Sequence, residues 1–199
     1  MSNVKISEIF STSIDAKGVD RLSKTKRIAI AGLLFAVALT LSWLENFIPA
    51  IPGLPPGIKP GLANIVMLFC LFYIGLPYAA ALTLLKSLFV FLTRGFTAAL
   101  LSFAGGVVSV IVMVSIIYVS KKQYSKEQCS KEHSSYGLVS ICGACSHNIG
   151  QLIMVALLTS STAAIYYLPI LLIGGVVMGI LTGFIFSLLS PYIDSVIFF

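Results

Sequence analysis

The chain has 199 residues, of which 58% are hydrophobic and only 10% charged, with a formal net charge of +6. A water-soluble domain carries about 25% charged residues, so this composition leaves too little polar surface for a soluble fold and indicates one membrane domain. The positive charge does not read as a nucleic-acid footprint, because most Lys and Arg residues fall in two short stretches beside apolar runs, the pattern of cytoplasmic membrane flanks.

Residues 1–27 are polar and basic, with Lys17, Arg21, Lys24, Lys26 and Arg27 towards their end. They are expected to form a cytoplasmic tail. A membrane domain of about six helices is expected over 28–190. The first span, 28–48, is long enough to cross a hydrocarbon core of roughly 30 Å. It ends at Glu45 and Asn46 without a small-residue cleavage site, so it reads as a span and not as a cleaved leader. Residues 49–60 (PAIPGLPPGIKP) hold five prolines and two glycines. No regular helix tolerates that density of proline, and a structured cap is expected there.

Span two, 61–75, is short and ends at the turn Gly75-Leu76-Pro77. Span three, 77–93, is interrupted by Lys86 and is followed by Thr93-Arg94-Gly95. Span four covers 96–119. Residues 120–136 are polar, with Lys121, Lys122, Lys126, Glu127, Lys131 and Glu132, and read as a cytoplasmic loop. Span five covers 137–159, and span six covers 163–189, with Pro169 as a possible break and Pro191 as its end. Spans two and three are short enough that tilted or re-entrant segments are alternatives to full crossings.

Counting charges orients the bundle. With the N-terminus inside, ten basic residues lie in inner segments and two, Lys59 and Arg94, in outer ones, with Lys86 inside the membrane. The opposite orientation inverts this ratio. Both termini are therefore expected in the cytoplasm of a multi-pass cell-membrane protein.

Small residues recur at four-residue spacing, as Gly32, Ala36 and Thr40 in span one and Gly175, Gly179 and Gly183 in span six. Such stripes let helix backbones approach closely in lipid. Packing within the bundle and a docking face for another membrane subunit are both open readings. Of the four cysteines, Cys70, Cys129, Cys142 and Cys145, the last two form a C-x-x-C inside an apolar helix with no second pair. A structural role is expected, since a free cysteine packs as a small hydrophobe.

Polar side chains within spans are costly and usually face a cavity or a partner. Here they are Glu45, Asn46, Asn64, Lys86, His147, Asn148 and Gln151, with Lys59 and Arg94 just outside. The orientation places Glu45, Asn46, Lys59, Asn64 and Arg94 near the outer surface, Lys86 at middle to outer depth, and His147 to Gln151 at mid-depth. His147 and Gln151, four apart, share a helix face, and Asn148 lies three from Gln151. These residues serve either interhelical hydrogen bonding alone or an outer pocket beneath the proline-rich segment. Lys86 either pairs with Glu45 or serves a ligand. In both cases Lys59 and Arg94 leave the pocket positive, so a small anionic or polar ligand is expected, with a phosphate or carboxylate suited to Lys and Arg.

Catalytic sets are not legible. The three aspartates, Asp15, Asp20 and Asp194, are scattered, and Glu45 is the only acid between residues 21 and 126. Prenyl diphosphate synthesis needs clustered carboxylates to hold Mg²⁺. There is no Walker A loop and no Ser-His-Asp set. Neither catalysis by the chain itself nor a cofactor or metal is expected.

Four stretches resemble one bacterial membrane family. They are Leu41-Ser-Trp-Leu-Glu45-Asn-Phe-Ile-Pro49, Pro56-Gly-Ile-Lys59-Pro-Gly-Leu-Ala-Asn64-Ile, Ser102-Phe-Ala-Gly-Gly106 and Gly143-Ala-Cys-Ser-His147-Asn-Ile-Gly-Gln151. The family carries two descriptions, "heptaprenyl diphosphate synthase component I" and "Gx transporter". The resemblance spans about residues 27–190 and departs from the family pattern at Pro60. Its overall form is similar to the substrate-binding S components of energy-coupling factor (ECF) importers. That similarity implies an all-α, S-component-like bundle of about six helices with an outer pocket capped by the segment after helix one. It also implies a small-residue stripe on helix one, matched here by Gly32 and Ala36, that docks on a coupling subunit driven by partner ATPases. The other description implies an accessory role in isoprenoid quinone biosynthesis.

Overall fold

The computed structural model describes residues 24–45, 61–124 and 132–198. Among these residues the chain is helical: α1 (Lys24–Leu44), α2 (Asn64–Tyr73), α3 (Leu76–Arg94), α4 (Phe96–Tyr124), α5 (Glu132–Thr159), a 3-10 turn (Thr162–Tyr167) and α6 (Leu168–Phe198). Five of these helices are long and apolar enough to cross a membrane. Their outer faces carry bare large apolar side chains, such as Leu33, Leu92, Leu157 and Ile173, each about two-thirds or more exposed. Lipid is the solvent that suits such faces.

The sixth helix, α2, has 10 residues, or about 15 Å of length. That is half of a bilayer core. Seven of its residues are buried, from Asn64 to Leu71, as expected of a helix that is apolar all round. Its end is tied to the chain-terminal end of the bundle, where Tyr73 Oη donates to the Ser190 carbonyl of α6 at 3.2 Å. Its start lies against His147, halfway along α5. Span two is therefore a half-length helix filling one half of the bundle.

Antiparallel neighbours share close seams. Ser109 of α4 donates to the Gly143 carbonyl of α5 at 2.8 Å, and the Ser140 and Thr182 hydroxyls bridge α5 and α6 at 2.6 Å. Glycines make these seams possible. A Cβ at Gly179 would collide with the Ile141 backbone, and one at Gly183 would lie 3.2 Å from Gly137 Cα. The α6 stripe is thus used for packing inside the chain. Among the described residues nothing lies within 4 Å of the corresponding point at Gly32, and Ala36 is exposed.

The apolar core is in two parts. The larger surrounds α2 and closes the chain-terminal half with Val66, Leu68, Leu71, Met113, Val139 and Phe186. Phe186 stacks there against Phe69, Phe72, Tyr73 and Tyr136, with the Phe69 ring 4.5 Å away. The smaller joins Leu101, Leu152, Val155 and Leu171 towards the other end.

The helix boundaries differ from the sequence expectation where proline and charge were read as stops. Pro191 lies inside α6. It removes the N–H that would reach the Ser187 carbonyl, and Ser190 Oγ donates to that carbonyl at 3.4 Å, the kind of local repair that lets membrane helices hold proline. Pro169 falls in the first turn of α6, where a missing N–H costs nothing. The polar stretch 120–136 is helical at both ends, to Tyr124 and from Glu132. The segment 49–60 lies outside the described residues.

Candidate functional site

The polar residues of the spans gather in one layer between the two cores. Thr83 Oγ1 of α3 lies 3.8 Å from Met67 Sδ of α2. The two helices are antiparallel, so one turn further along each brings Asn64 and Lys86 to the same level. Thr83 also packs against Gly106 of α4, where a Cβ would come 2.6 Å from Thr83 Cγ2. His147 of α5 sits at the same height. A Cβ at the neighbouring Gly105 would lie 2.9 Å from both Cε1 and Nδ1 of its ring.

The start of α2 closes this layer. Gly61 has φ +83, a left-handed conformation that glycine adopts freely. A Cβ there would lie 3.3 Å from both Asn64 Nδ2 and His147 Cδ2. Gly61 therefore brings the amide of Asn64 and the imidazole of His147 side by side. The first turn of α2 is tight, with Asn64 N–H donating to the Gly61 carbonyl at 2.9 Å.

His147 and Gln151 pair on one face of α5 through their Nε2 atoms at 2.9 Å. An amide nitrogen only donates, so His147 Nε2 accepts and the ring proton sits on Nδ1. Nδ1 is turned to Gly105 without a well-formed hydrogen bond. Lys86 is buried and lies within electrostatic range of His147 and of Glu45.

Glu45, at the end of α1, also lies within range of Arg94 at the end of α3. Arg94 Nη2 donates to the Ser42 carbonyl at 2.7 Å. That carbonyl belongs to the last turn of α1, where a cation is favoured by the helix dipole. Arg94 thus clamps α1 to α3, about 12 Å along α3 from Lys86.

The structure accordingly brings together Glu45, Asn64, Lys86, Arg94, His147 and Gln151 of the residues expected in the pocket. Asn46 and Lys59 lie outside the described residues. Asn148 is turned to a different seam: its Nδ2 donates to the Leu171 carbonyl of α6 at 2.8 Å, in space left by Gly175. One position along a helix turns a side chain by about 100°, which separates Asn148 from His147. Gly61 and Gly105 were not singled out from sequence, although the paired glycines Gly105-Gly106 inside an apolar helix are a signal of close approach.

Several buried polar atoms lack a hydrogen-bond partner among the described residues: Glu45 Oε1, Asn64 Nδ2 and His147 Nδ1 in the layer and Asn148 Oδ1 on the seam with α6. Their residues are at most 5% exposed. A buried polar atom left unpaired costs about 1–3 kcal/mol; the atoms of Glu45, Asn64 and His147 belong to the polar layer, and that of Asn148 to the seam with α6. Among the described residues no cluster of His, Cys, Asp and Glu could hold a metal ion.

The chain matches the family model described as heptaprenyl diphosphate synthase component I over residues 34–189. The chain belongs to this family. The match runs from α1 to α6 and includes every site residue brought together above. No curated protein and no solved structure matches this component I family member. The family is named for a component of heptaprenyl diphosphate synthase, and the five long apolar helices indicate a multi-pass membrane protein.

Proposed function

We propose that this chain is the substrate-capture membrane subunit of an ECF-type importer, taking a small anionic or polar ligand from the outer side of the cell membrane. The observation that carries this reading is the buried layer of Asn64, Lys86 and His147, with unpaired donors, lying between two apolar cores. Ionisable and amide groups at this depth are expensive unless they meet a ligand or one another. Arg94 and Glu45 stand at one end of the layer, and the aromatic cluster around Phe186 fills the other end. In this reading the chain captures its ligand without conducting it, so release requires a partner.

The charge bias of the sequence supports cytoplasmic termini and hence an outward opening. In this reading the segment 49–60, with Asn46 and Lys59, covers the site. The uncovered Gly32 and Ala36 of α1 are the docking face for a coupling subunit, with partner ATPases supplying the energy. The test is co-expression with ECF coupling and ATPase subunits followed by affinity purification. Stable co-purification, lost in Gly32→Leu, is expected. No association, together with no retained ligand, would overturn the reading.

The family description favours a second reading, a non-catalytic accessory subunit of heptaprenyl diphosphate synthase. It would recruit the soluble synthase through the N-terminal tail or the 120–136 region. Co-expression should then raise prenyl diphosphate synthase activity in membranes; unchanged activity would dismiss it.

A further inference from the structure

We infer that the anionic group of the ligand is bound at the start of α2, by Asn64 and Lys86 together, with Arg94 excluded from direct contact. This inference rests on the capture reading and assigns the chemistry within its site. The described cations and amides expected in the pocket are divided by the geometry. Arg94 is committed, since it donates to the Ser42 carbonyl at 2.7 Å and holds the end of α1. Asn148 is committed in the same way to the Leu171 carbonyl. Gln151 is paired with His147. Glu45 repels an anion and keeps to the α1 end, within range of both Arg94 and Lys86.

What remains converges on α2. Among the described residues Asn64 Nδ2 is a donor without a partner, on a residue that is 5% exposed. It lies over Gly61, the residue that opens the first turn of the helix. The ten-residue α2 begins in the middle of the bundle; its first-turn N–H groups bond to the Gly61, Leu62 and Ala63 carbonyls, so the anion is held by side chains, with the positive end of the buried helix dipole favouring it. Half-length membrane helices with a buried N-terminus serve anionic groups in this way. Lys86 stands at the same level on the adjacent helix, placed there by the contact of Met67 with Thr83. His147 turns its Cδ2 edge to Gly61 and Asn64 and its Nδ1 to Gly105 of α4, so it forms the wall of the site without donating into it. The group recognised is a carboxylate or phosphate, whose oxygens accept from an amide and an ammonium at once.

The test is thermal unfolding of the purified full chain in detergent, with excess sodium phosphate or sodium acetate against sodium chloride at matched ionic strength. Wild type and a Ser115→Ala control, altered on the lipid-facing surface, should be stabilised by one of the two anions, and the effective anion names the group. Asn64→Asp and Lys86→Gln should each weaken that anion by about tenfold or more. Two variants are used so that a folding defect in one leaves the other decisive. Stabilisation that persists undiminished in both variants overturns the assignment and leaves the capture reading standing. No stabilisation of wild type by either anion also overturns it. In that case mass spectrometry of the purified protein separates the two claims: a retained uncharged molecule preserves capture, and an empty protein removes both.

Discussion

Glu45 stands between two cations, and this determines how its neighbours tolerate change. Removing one partner from a buried pair ordinarily costs about 3–5 kcal/mol. Removal of Lys86 still leaves Arg94 within range of Glu45. We therefore expect Lys86→Met to lose only about 1–2 kcal/mol, a fraction of that full penalty, while losing ligand binding. Glu45→Gln should be the more destabilising change, because it leaves two cations without an anion. Melting temperatures of the two variants in detergent check the order; a reversed order would show that Lys86 is a structural partner alone. Asn148→Ala should cost about 1 kcal/mol, the scale of one interhelical hydrogen bond in a membrane, and leave ligand affinity unchanged within about twofold. The identity of these residues was legible in sequence because polar groups in an apolar run are few and costly. Their division was not. His147 and Asn148 are consecutive, and only the partners of α4 and α6 decide that one faces the layer and the other a seam.

Among the elements, α2 and α6 depart furthest from what periodicity suggests. The run around 61–75 reads as a short span, and its ten-residue helix is short because Gly61 turns the chain in the middle of the bundle. Nothing in the local pattern distinguishes a half-length buried helix from a tilted whole one, since both are apolar on every side. The two glycine stripes looked alike in sequence and differ in structure, because only tertiary contact tells a packed stripe from an open one. Gly179→Val should cost about 1–3 kcal/mol through overpacking, because the Ile141 backbone cannot move aside as a side chain would. Gly32→Val should leave stability nearly unchanged, since no described residue lies near it, and should reduce partner association. Unfolding curves and pull-downs on the two variants read these outcomes independently. Equal destabilisation by both would remove α1 as an open face.

For the whole molecule, composition and charge bias suffice to indicate a helical membrane bundle, and the five long apolar helices agree. The fold class required no pairing information, because lipid leaves a chain with no strand signature only the helix for satisfying its backbone. The assembly of a polar layer between two cores did require it: residues from α2, α3, α4 and α5, up to 87 positions apart, reach the same level only through antiparallel packing. The outer depth expected for Asn64 illustrates the limit, since it lies beside His147 in the middle of the bundle. A capture subunit must hold a molecule in that layer. Native mass spectrometry of the protein released from its own membranes asks this directly. We expect wild type to carry one small bound mass and Lys86→Met, at comparable folding, to be empty. A wild-type protein that is empty in cells containing ECF subunits, or a mass bound equally by both, would contradict the account.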